Sequence, residues 1–319
     1  MPRVGQNPAR FIEKVAQPST ITVTVVNCIP FTSGYYEQSL DVLKACLNSI
    51  HENTPESHDL MVFDNHSCRE VRQYLQEAYE QGVIQYLLLS DKNIGKLGAW
   101  NFLFGAAQGQ YVVFSDGDIL FRPGWLSASL ELFETFPNVG MVTARPFRTQ
   151  EKYSTATIEW ARNQQPDVVL EEGCLLDWET YWEHGRSIGA DENTSRESYP
   201  KGVDYRLTYY EKMAYIGAGH FQFMAPRALL QKIIPLPSDQ PMRGERALDF
   251  AINDMAYLRL NTEKTYVYHM GNRLPGSLST VTVTKRKSLL QRLLWLPGIR
   301  HILLWLNNQI FRLYFFNVE

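Results

Sequence analysis

Two acidic residues near the middle of the chain have the type and spacing to bind a metal ion. Asp116 and Asp118 flank Gly117 directly after the apolar run YVVF, in the segment FSDGD. Two carboxylates at positions i and i+2, placed at the end of a strand, can reach one divalent cation and a ribose hydroxyl. Asp-Gly is also a common turn dipeptide, so a plain turn is the alternative for these residues.

Two further segments carry side chains suited to a nucleotide. Asp64 ends the run LMVFDN, and its carboxylate can accept an N–H from the edge of a nucleobase. Asn93, Gly95 and Lys96 lie in DKNIGKLGAWN, where a loop enters a predicted helix. Backbone amides at a helix start can face a diphosphate or ribose together with a lysine. The alternative for a strand-end aspartate is a cap or a turn.

The elements that must position these residues alternate along the chain. Strands are predicted at 20–27, 60–65, 83–89, 111–116 and 139–144, with helices at 36–53, 67–79, 96–107 and 125–136. This alternation predicts an α/β fold with a mostly parallel central sheet, whose ligands bind beyond the carboxyl ends of the strands. Asn27, Asp64, Asp116 and Asp118 all lie at such ends. Residues 145–215 read as an irregular insertion, followed by a helix at 249–260 and a strand running into a loop at 265–272.

Composition narrows the classes of function. The chain has 319 residues, is 45% hydrophobic and carries a net charge of −3, so it has the apolar content to fold and no chain-wide basic field for nucleic acid. The four cysteines form no C-x-x-C pair, which favours reduced thiols. The first twenty residues have no apolar signal-peptide core, so the expected location is the cytoplasm.

The series VVN, DNHS, NIGKLGAWN and FSDGD resembles the family 2 glycosyltransferases with the A-type (GT-A) fold, a Rossmann-like α/β fold. The resemblance covers about residues 20–146 and continues more loosely to about 272. It implies that Asp64 binds the base and that Asn93 with Gly95 lies over the nucleoside. It also implies that Asp116 and Asp118 hold Mn²⁺ or Mg²⁺ against the donor diphosphate, with UDP as the first donor nucleotide to expect.

The implied reaction is metal-dependent, inverting transfer of a sugar from a nucleoside diphosphate to a hydroxyl of a glycan or lipid-linked acceptor, as in the synthesis of surface polysaccharide or glycolipid. Such a reaction needs a general base, which the family supplies near the start of a late helix. The sequence RGERALDFAINDMAYLRLN lacks the family's Glu-Asp pair. Asp249 is the favoured base, Asp254 is next and Glu245 is a third candidate, while an ordinary helix cap is the alternative reading of Asp249.

Other residues are assigned by position within the resemblance. His269 would complete the metal site with Asp118, or be a hydrogen-bonded core histidine. Gly219 and His220, in GAGHF, would lie beneath the sugar and the acceptor. Trp178, with Tyr181 and Trp182, would stack on a sugar or pack in a core.

The C-terminal segment differs from the rest in charge. Residues 285–319 contain six basic residues and Glu319, a net of +5, which leaves −8 for residues 1–284. Apolar residues at helical spacing predict basic amphipathic helices for peripheral contact with the inner face of a membrane, or for a homo-oligomer. The predicted organisation is a leader at 1–19, a GT-A domain at 20–284 divided into nucleotide-sugar (20–146) and acceptor (147–284) halves, and a tail at 285–319.

Two rival functions remain open at this point. A sugar nucleotidyltransferase would carry a glycine-rich basic loop after the first strand, but residues 27–39 contain neither Lys nor Arg. A non-catalytic GT-A-like subunit would bind a partner or membrane through its tail. The intact pair Asp116 and Asp118 favours an enzyme over such a subunit.

Overall fold

The computed structural model describes residues 5–240, 242–276, Trp305, Leu306 and Gln309. The chain divides into two compact units, Met1–Pro275 and Gly276–Glu319. The helices predicted for the tail at 285–319 lie outside the described residues, apart from the three named. No helix among the described residues combines the length and apolar character needed to cross a membrane.

The first unit is a mixed α/β fold. Its strands are β1 Ile21–Asn27, β2 His58–Asn65, β3 Tyr86–Ser90, β4 Tyr111–Asp116, β5 Ile119–Phe121, β6 Val139–Thr143, β7 Val168–Gly173, β8 Asp204–Tyr209, β9 Lys212–Ile216, β10 Gln222–Pro226, β11 Leu258–Thr262 and β12 Val267–His269. Its helices are α1 Ser39–Asn53, α2 Arg69–Glu80, α3 Gly95–Ala106, α4 Trp125–Thr135, α5 Thr155–Asn163, α6 Trp178–Ser187, α7 Glu192–Ser198, α8 Arg227–Ile233 and α9 Arg246–Asp254.

The central sheet has ten strands in the order β3-β2-β1-β4-β10-β6-β11-β9-β8-β7. Strands β3, β2, β1 and β4 are mutually parallel, as are β6 and β11. The other neighbours pair antiparallel, so that β10, β9 and β7 oppose the remaining seven strands. The expected α/β fold with a mostly parallel central sheet is therefore confirmed.

Both faces of the sheet are covered by helices, in keeping with the burial of every residue of β1 and of the four central residues of β4. One core cluster contains residues of α1, α2 and α4, a second contains residues of α3, α8 and α9, and a third surrounds β9 and β11. Trp100 of α3 and Trp125 of α4 are both fully buried. The carboxyl ends of β1, β2 and β4 thus meet at one edge, between two rigid layers.

The region predicted as an irregular insertion is folded, which corrects that prediction. Helices α5, α6 and α7 and the antiparallel strands β7, β8 and β9 occupy it. The turn between β8 and β9 uses Tyr210 (φ 45°) and Glu211 (φ 62°), left-handed residues that are not glycine. Sequence reasoning looks for Gly, Asn or Asp at such turns, so this hairpin had no visible signal.

The predicted helix at 249–260 is also wrong in its bounds. Helix α9 ends at Asp254, Ala256 has φ 57°, and residues 258–262 form the fully buried strand β11. Lateral pairing with β6 and β9 decides the conformation of this stretch, and such non-local pairing has no local sequence signature.

Candidate donor and metal site

Asp118 and His269 are brought together by a small two-stranded sheet. Strand β12 pairs antiparallel with β5, with His269 opposite Ile119, and the Met270 amide donates to the Asp118 carbonyl at 2.8 Å. As a result the His269 Nε2 lies 3.4 Å from the Asp118 Oδ2. The predicted juxtaposition of these two side chains is therefore present in the structure.

Two atoms of this pair have room for another partner. The Oδ1 of Asp118 and the Nδ1 of His269 are buried and have no hydrogen-bond partner within the described part of the chain. Burial raises the pKa of Asp118 to about 6, with Asp116 adding to the rise and His269 opposing it. A buried carboxylate oxygen beside an imidazole is a donor set that suits a divalent cation.

Asp116 faces a different neighbour. Its Oδ2 accepts a hydrogen bond from the Lys96 Nζ at 2.7 Å, and the ammonium also lies 5.2 Å from the Phe114 ring centroid and 5.6 Å from that of Trp100. No group of three or more His, Cys, Asp or Glu side chains poised for a metal occurs among residues 5–240 and 242–276. The described residues therefore offer two adjacent candidate ligands, Asp118 and His269, and the metal role predicted for them and for Asp116 stays a prediction.

Asn27 and Asp64 lie side by side at the ends of β1 and β2. The Asn27 Nδ2 donates to Asp64 Oδ1 and to Ser67 Oγ, both at 2.9 Å. The second carboxylate oxygen accepts from the Ser67 amide at 3.2 Å and from the Arg72 Nε at 3.0 Å. Asp64 is fully buried and both its oxygens have partners, so its local role is to join β1, β2 and α2.

Asn93 and Gly95 form the turn that starts α3. The Asn93 Oδ1 accepts from the Gly95 amide at 2.9 Å and from the Asn65 Nδ2 at 3.0 Å. Gly95 has φ 75°, a conformation that disfavours any residue with a Cβ. This turn places Lys96 one residue further, where it reaches Asp116. A nucleoside role for Asn93 and Gly95 stays a prediction.

Gly117 is explained by packing. A Cβ there would lie 3.1 Å from Leu43 Cδ1, 3.2 Å from the Val26 carbonyl oxygen and 3.3 Å from Asn27 Cβ. The Gly117 amide donates to that same carbonyl at 3.0 Å. These contacts are one reason for a glycine at this position, and a cofactor-binding role for Gly117 stays a prediction.

Asp249 is more enclosed than a base that meets an acceptor should be. Its side chain is fully buried and contacts His220, Arg246 and Arg259. Burial would raise the pKa of Asp249, but the His220 hydrogen bond and the two guanidinium groups hold it below its usual value. A carboxylate stabilised in this way is both unreachable and weakly basic.

The His220 side chain contacts the Asp249 carboxylate. Its Nε2 lies 2.7 Å from Asp249 Oδ1, and its side chain keeps 14% of its surface exposed. The next residue, Phe221, accepts the Asp116 amide at 2.8 Å, and the His220 ring lies 6.1 Å from that of Trp100. His220 is therefore the more exposed residue of the pair that it forms with Asp249, and it lies close to the contact between Lys96 and Asp116.

The other candidate bases occupy different places. Asp254 is the exposed last residue of α9, eight residues after Arg246, which is about 12 Å along a helix. It is not brought to the site. Glu245 is half-buried at the first turn of α9, and its neighbour Gly244 would place a Cβ 3.4 Å from Leu97, next to Lys96.

Gly219 and Trp178 are engaged with protein groups. A Cβ on Gly219 would meet the Phe221 ring at 2.5 Å, and the Gly219 amide donates to Thr143 Oγ1 at 2.8 Å. Trp178 stacks on Trp182 with ring centroids 5.7 Å apart, and the Arg196 guanidinium lies 4.4 Å from its ring. Both residues therefore have packing contacts within the protein, and the substrate roles predicted for them stay predictions.

Arg246 and Arg259 were missed by sequence reasoning. Arg259 is fully buried in β11 and donates to the Ala218 carbonyl at 2.9 Å while it contacts Asp249. A charged residue inside the otherwise apolar run YLRLN was the available signal, because arginine is almost never fully buried without a partner. Because a helix was predicted at 249–260, Arg259 was not recognised as a buried strand residue.

Comparison with known proteins gives a family match over part of the chain. Residues 33–186 match the family model described as glycosyl transferase family 2. An uncharacterized glycosyltransferase of Nostoc sp. (strain PCC 7120) is 29% identical over 100 residues. That match spans 31% of this chain and 31% of the relative, so the chain covers about a third of that protein's length.

Two solved structures resemble the chain at low identity. A mannosyltransferase from Pyrobaculum calidifontis, in complex with GDP-Man and Mn²⁺, is 15% identical with a TM-score of 0.46, and the match covers 80% of this chain and 60% of that one. The S. aureus protein TarS, residues 1–349, is 14% identical with a TM-score of 0.44, over 78% and 60% of the two chains.

Proposed function

We propose that the chain, whose residues 33–186 match the family model described as glycosyl transferase family 2, is a metal-dependent, inverting glycosyltransferase. It moves a sugar from a nucleoside diphosphate to a hydroxyl of a glycan or lipid-linked acceptor. The observation that carries the proposal is the Asp118 and His269 pair, with its unpartnered buried oxygen, beside Lys96 and Asp116 at the carboxyl end of β4.

A divalent cation, Mn²⁺ or Mg²⁺, would be held by Asp118 and His269. When bound, it neutralises charge that builds up on the leaving diphosphate. Lys96 supplies a fixed positive charge beside it, because its ammonium is held between Asp116 and two aromatic rings. UDP is the first donor nucleotide to test, followed by GDP, dTDP, CDP and ADP.

We assign the general base to His220, with Asp249 as its positioning residue. A carboxylate only accepts hydrogen bonds, so Nε2 of His220 carries a hydrogen toward Asp249 and Nδ1 keeps a free lone pair. The acceptor hydroxyl gives its proton to Nδ1 as its oxygen attacks the anomeric carbon. The bond from that carbon to the phosphate oxygen breaks, and its electron pair stays on the diphosphate.

The electrostatics of His220 agree with this role. Burial lowers the pKa of His220, while the Asp249 carboxylate opposes the shift and Arg259 and Arg246 add to it. The imidazole is therefore neutral at neutral pH and free to accept a proton. Activity should fall as the pH drops, and the midpoint of this acidic limb should lie below the ordinary histidine pKa of about 6.5.

The function is tested by following nucleotide release from the five sugar-nucleotide classes with Mn²⁺ and with Mg²⁺. We expect metal-dependent release with one class, lost by at least about 100-fold in Asp118→Ala, as for removal of a group that stabilises the leaving charge. Asp254→Ala, an exposed carboxylate far along α9, is the matched control and should retain wild-type rates. Release that is equal in the two variants would contradict the proposal.

The base is tested separately with His220→Gln and Asp249→Asn. We expect kcat to fall by about 10²–10⁴ in His220→Gln with KM for the donor nearly unchanged, because only proton removal is lost. The acidic limb of the pH profile should disappear in that variant. In Asp249→Asn the limb should move, since the neighbouring charge is gone. An unaltered profile in both variants would transfer the role to Glu245.

A contact of the tail at 285–319 with anionic membrane remains part of the proposal, supported by its net charge of +5. A homo-oligomer formed through the tail is the alternative. If the tail contacts membrane, the protein should bind anionic vesicles. If the tail forms a homo-oligomer, the oligomeric state should depend on protein concentration.

A further inference from the structure

A cavity of about 630 Å³ lies in the second half of the first unit, away from Lys96 and Asp116. It is bounded by the segment that follows β6, by α6 and by the start of β8. Most of its wall is apolar, from Phe147, Leu176, Ile188 and Tyr205. Its volume is within the range of small-molecule sites, which is about 300–1,000 Å³.

The charges at the wall are neutralised by protein partners. The Arg148 guanidinium donates two hydrogen bonds to the Asp204 carboxylate, at 2.6 and 2.8 Å. Glu151 accepts the Tyr205 hydroxyl at 3.1 Å and lies 3.7 Å from Arg162. A charged occupant would lose its hydration without gaining a free counter-charge, so the wall selects an uncharged one.

Two polar atoms of the wall lack a partner. The Thr149 Oγ1 and the His184 Nδ1 are buried and make no hydrogen bond to any described residue. An unpaired buried polar group is unfavourable, and an occupant with a hydroxyl or ether oxygen would satisfy it.

One layer of rings separates the cavity from the metal site. The His184 ring lies 4.9 Å from Phe147, 5.0 Å from Phe221 and 5.8 Å from His269, measured between centroids. His269 in turn faces Asp118. A molecule seated in the cavity is thus one side chain away from the place where the donor diphosphate is proposed to lie.

We propose that this cavity binds the uncharged apolar part of the acceptor, an alkyl or aromatic group whose oxygen bonds to Thr149 or His184. The acceptor assignment rests on the proposed function, while occupation of the cavity does not. The contact between the His184 and His269 rings places this cavity next to one of the two residues proposed to hold the cation.

The test is calorimetric binding of n-octyl β-D-glucopyranoside and phenyl β-D-glucopyranoside, below micellar concentration, to the full chain. Glucose, which has the hydroxyls but no apolar group, is the comparison ligand. We expect one or both glycosides to bind and glucose not to bind. Comparing the affinities of the octyl and the phenyl glucoside shows whether the cavity binds an alkyl or an aromatic group. Failure of both to bind would overturn the proposal.

Two variants locate the binding. Ala190→Trp fills the cavity from its wall and should weaken binding at least tenfold, while Asn193→Trp, exposed on α7 and outside the wall, should bind as wild type. Thr149→Val keeps the shape, removes the hydroxyl and should weaken binding by about three- to tenfold. Equal affinity in Ala190→Trp and wild type would overturn the assignment to this cavity.

Metal-dependent diphosphate binding is measured on the same samples. If the glycosides bind in the cavity but no diphosphate binds, the proposed function fails, and with it the acceptor assignment. If diphosphate binds and no glycoside does, the cavity proposal fails and the proposed function stands. Glycoside binding that is weakened in Ala190→Trp, in protein that also binds diphosphate, supports both.

Discussion

Gly117 shows how a residue at the site is fixed by packing. Gly117→Ala should lower the free energy of unfolding by about 1–3 kcal/mol, because its Cβ would press on Leu43, Asn27 and the Val26 carbonyl at 3.1–3.3 Å. Thermal or urea unfolding measures this. Gly105→Ala, in the last turn of α3 with its nearest neighbour at 3.6 Å, should instead stabilise by up to about 1 kcal/mol. Equal effects would refute the packing account.

The sequence predicted those site residues whose roles follow from local order. Asp116, Asp118 and Lys96 lie near the carboxyl end of β4 because strand and helix alternation determines that edge. The burial of Asp249 could not be predicted from the sequence, because it depends on Arg259 from β11, a strand whose conformation is set by non-local pairing. The reachable member of the pair, His220, was named only as a substrate residue.

At the scale of elements, Arg72 of α2 joins two strands. It donates to the Asp64 carboxylate of β2 at 3.0 Å and to the carbonyl of Ser90 in β3. Arg72→Ala leaves the fully buried Asp64 without its counter-charge, and should cost about 3–5 kcal/mol of unfolding free energy. Arg69→Ala, exposed on the same helix, is the control and should change stability by less than about 0.5 kcal/mol.

A loss below about 1 kcal/mol in Arg72→Ala would mean that water replaces the guanidinium, since Arg72 is 30% exposed. Asp64 would keep its bonds to Asn27 and Ser67, so only the contribution assigned to Arg72 would be refuted. Measuring diphosphate affinity in the same variant tests separately whether Asp64 contacts the donor nucleotide.

Elements were predicted best where local pattern and tertiary environment agree. Strands β1, β2 and β4 read as apolar runs because both faces of the sheet are covered. Strand β7 has mixed burial at the sheet edge, and α6 has no fully buried residue, so neither carried a clear pattern. This is why the elements of residues 20–146 could be predicted in detail and those that follow residue 146 could not.

At the scale of the whole molecule, the three core clusters lie between Ile21 and Met270, within the unit that ends at Pro275. A chain of residues 1–275 should therefore fold, melt within a few degrees of the full chain and keep its diphosphate affinity. It should lose binding to anionic vesicles in a flotation assay if the tail binds membrane. Loss of cooperative unfolding would show that the second unit completes the core.

We propose above that Asp118 and His269 hold a divalent cation together with a nucleoside diphosphate. The most direct measurement is the melting temperature with Mn²⁺ and each of UDP, GDP, dTDP, CDP and ADP. A ligand at 100 times its Kd stabilises the native state by about 2.7 kcal/mol, which is several degrees. We predict a rise with one diphosphate that needs the metal, is lost in Asp118→Ala and persists in Asp254→Ala. No rise with any of the five, or the same rise in both variants, would contradict the account.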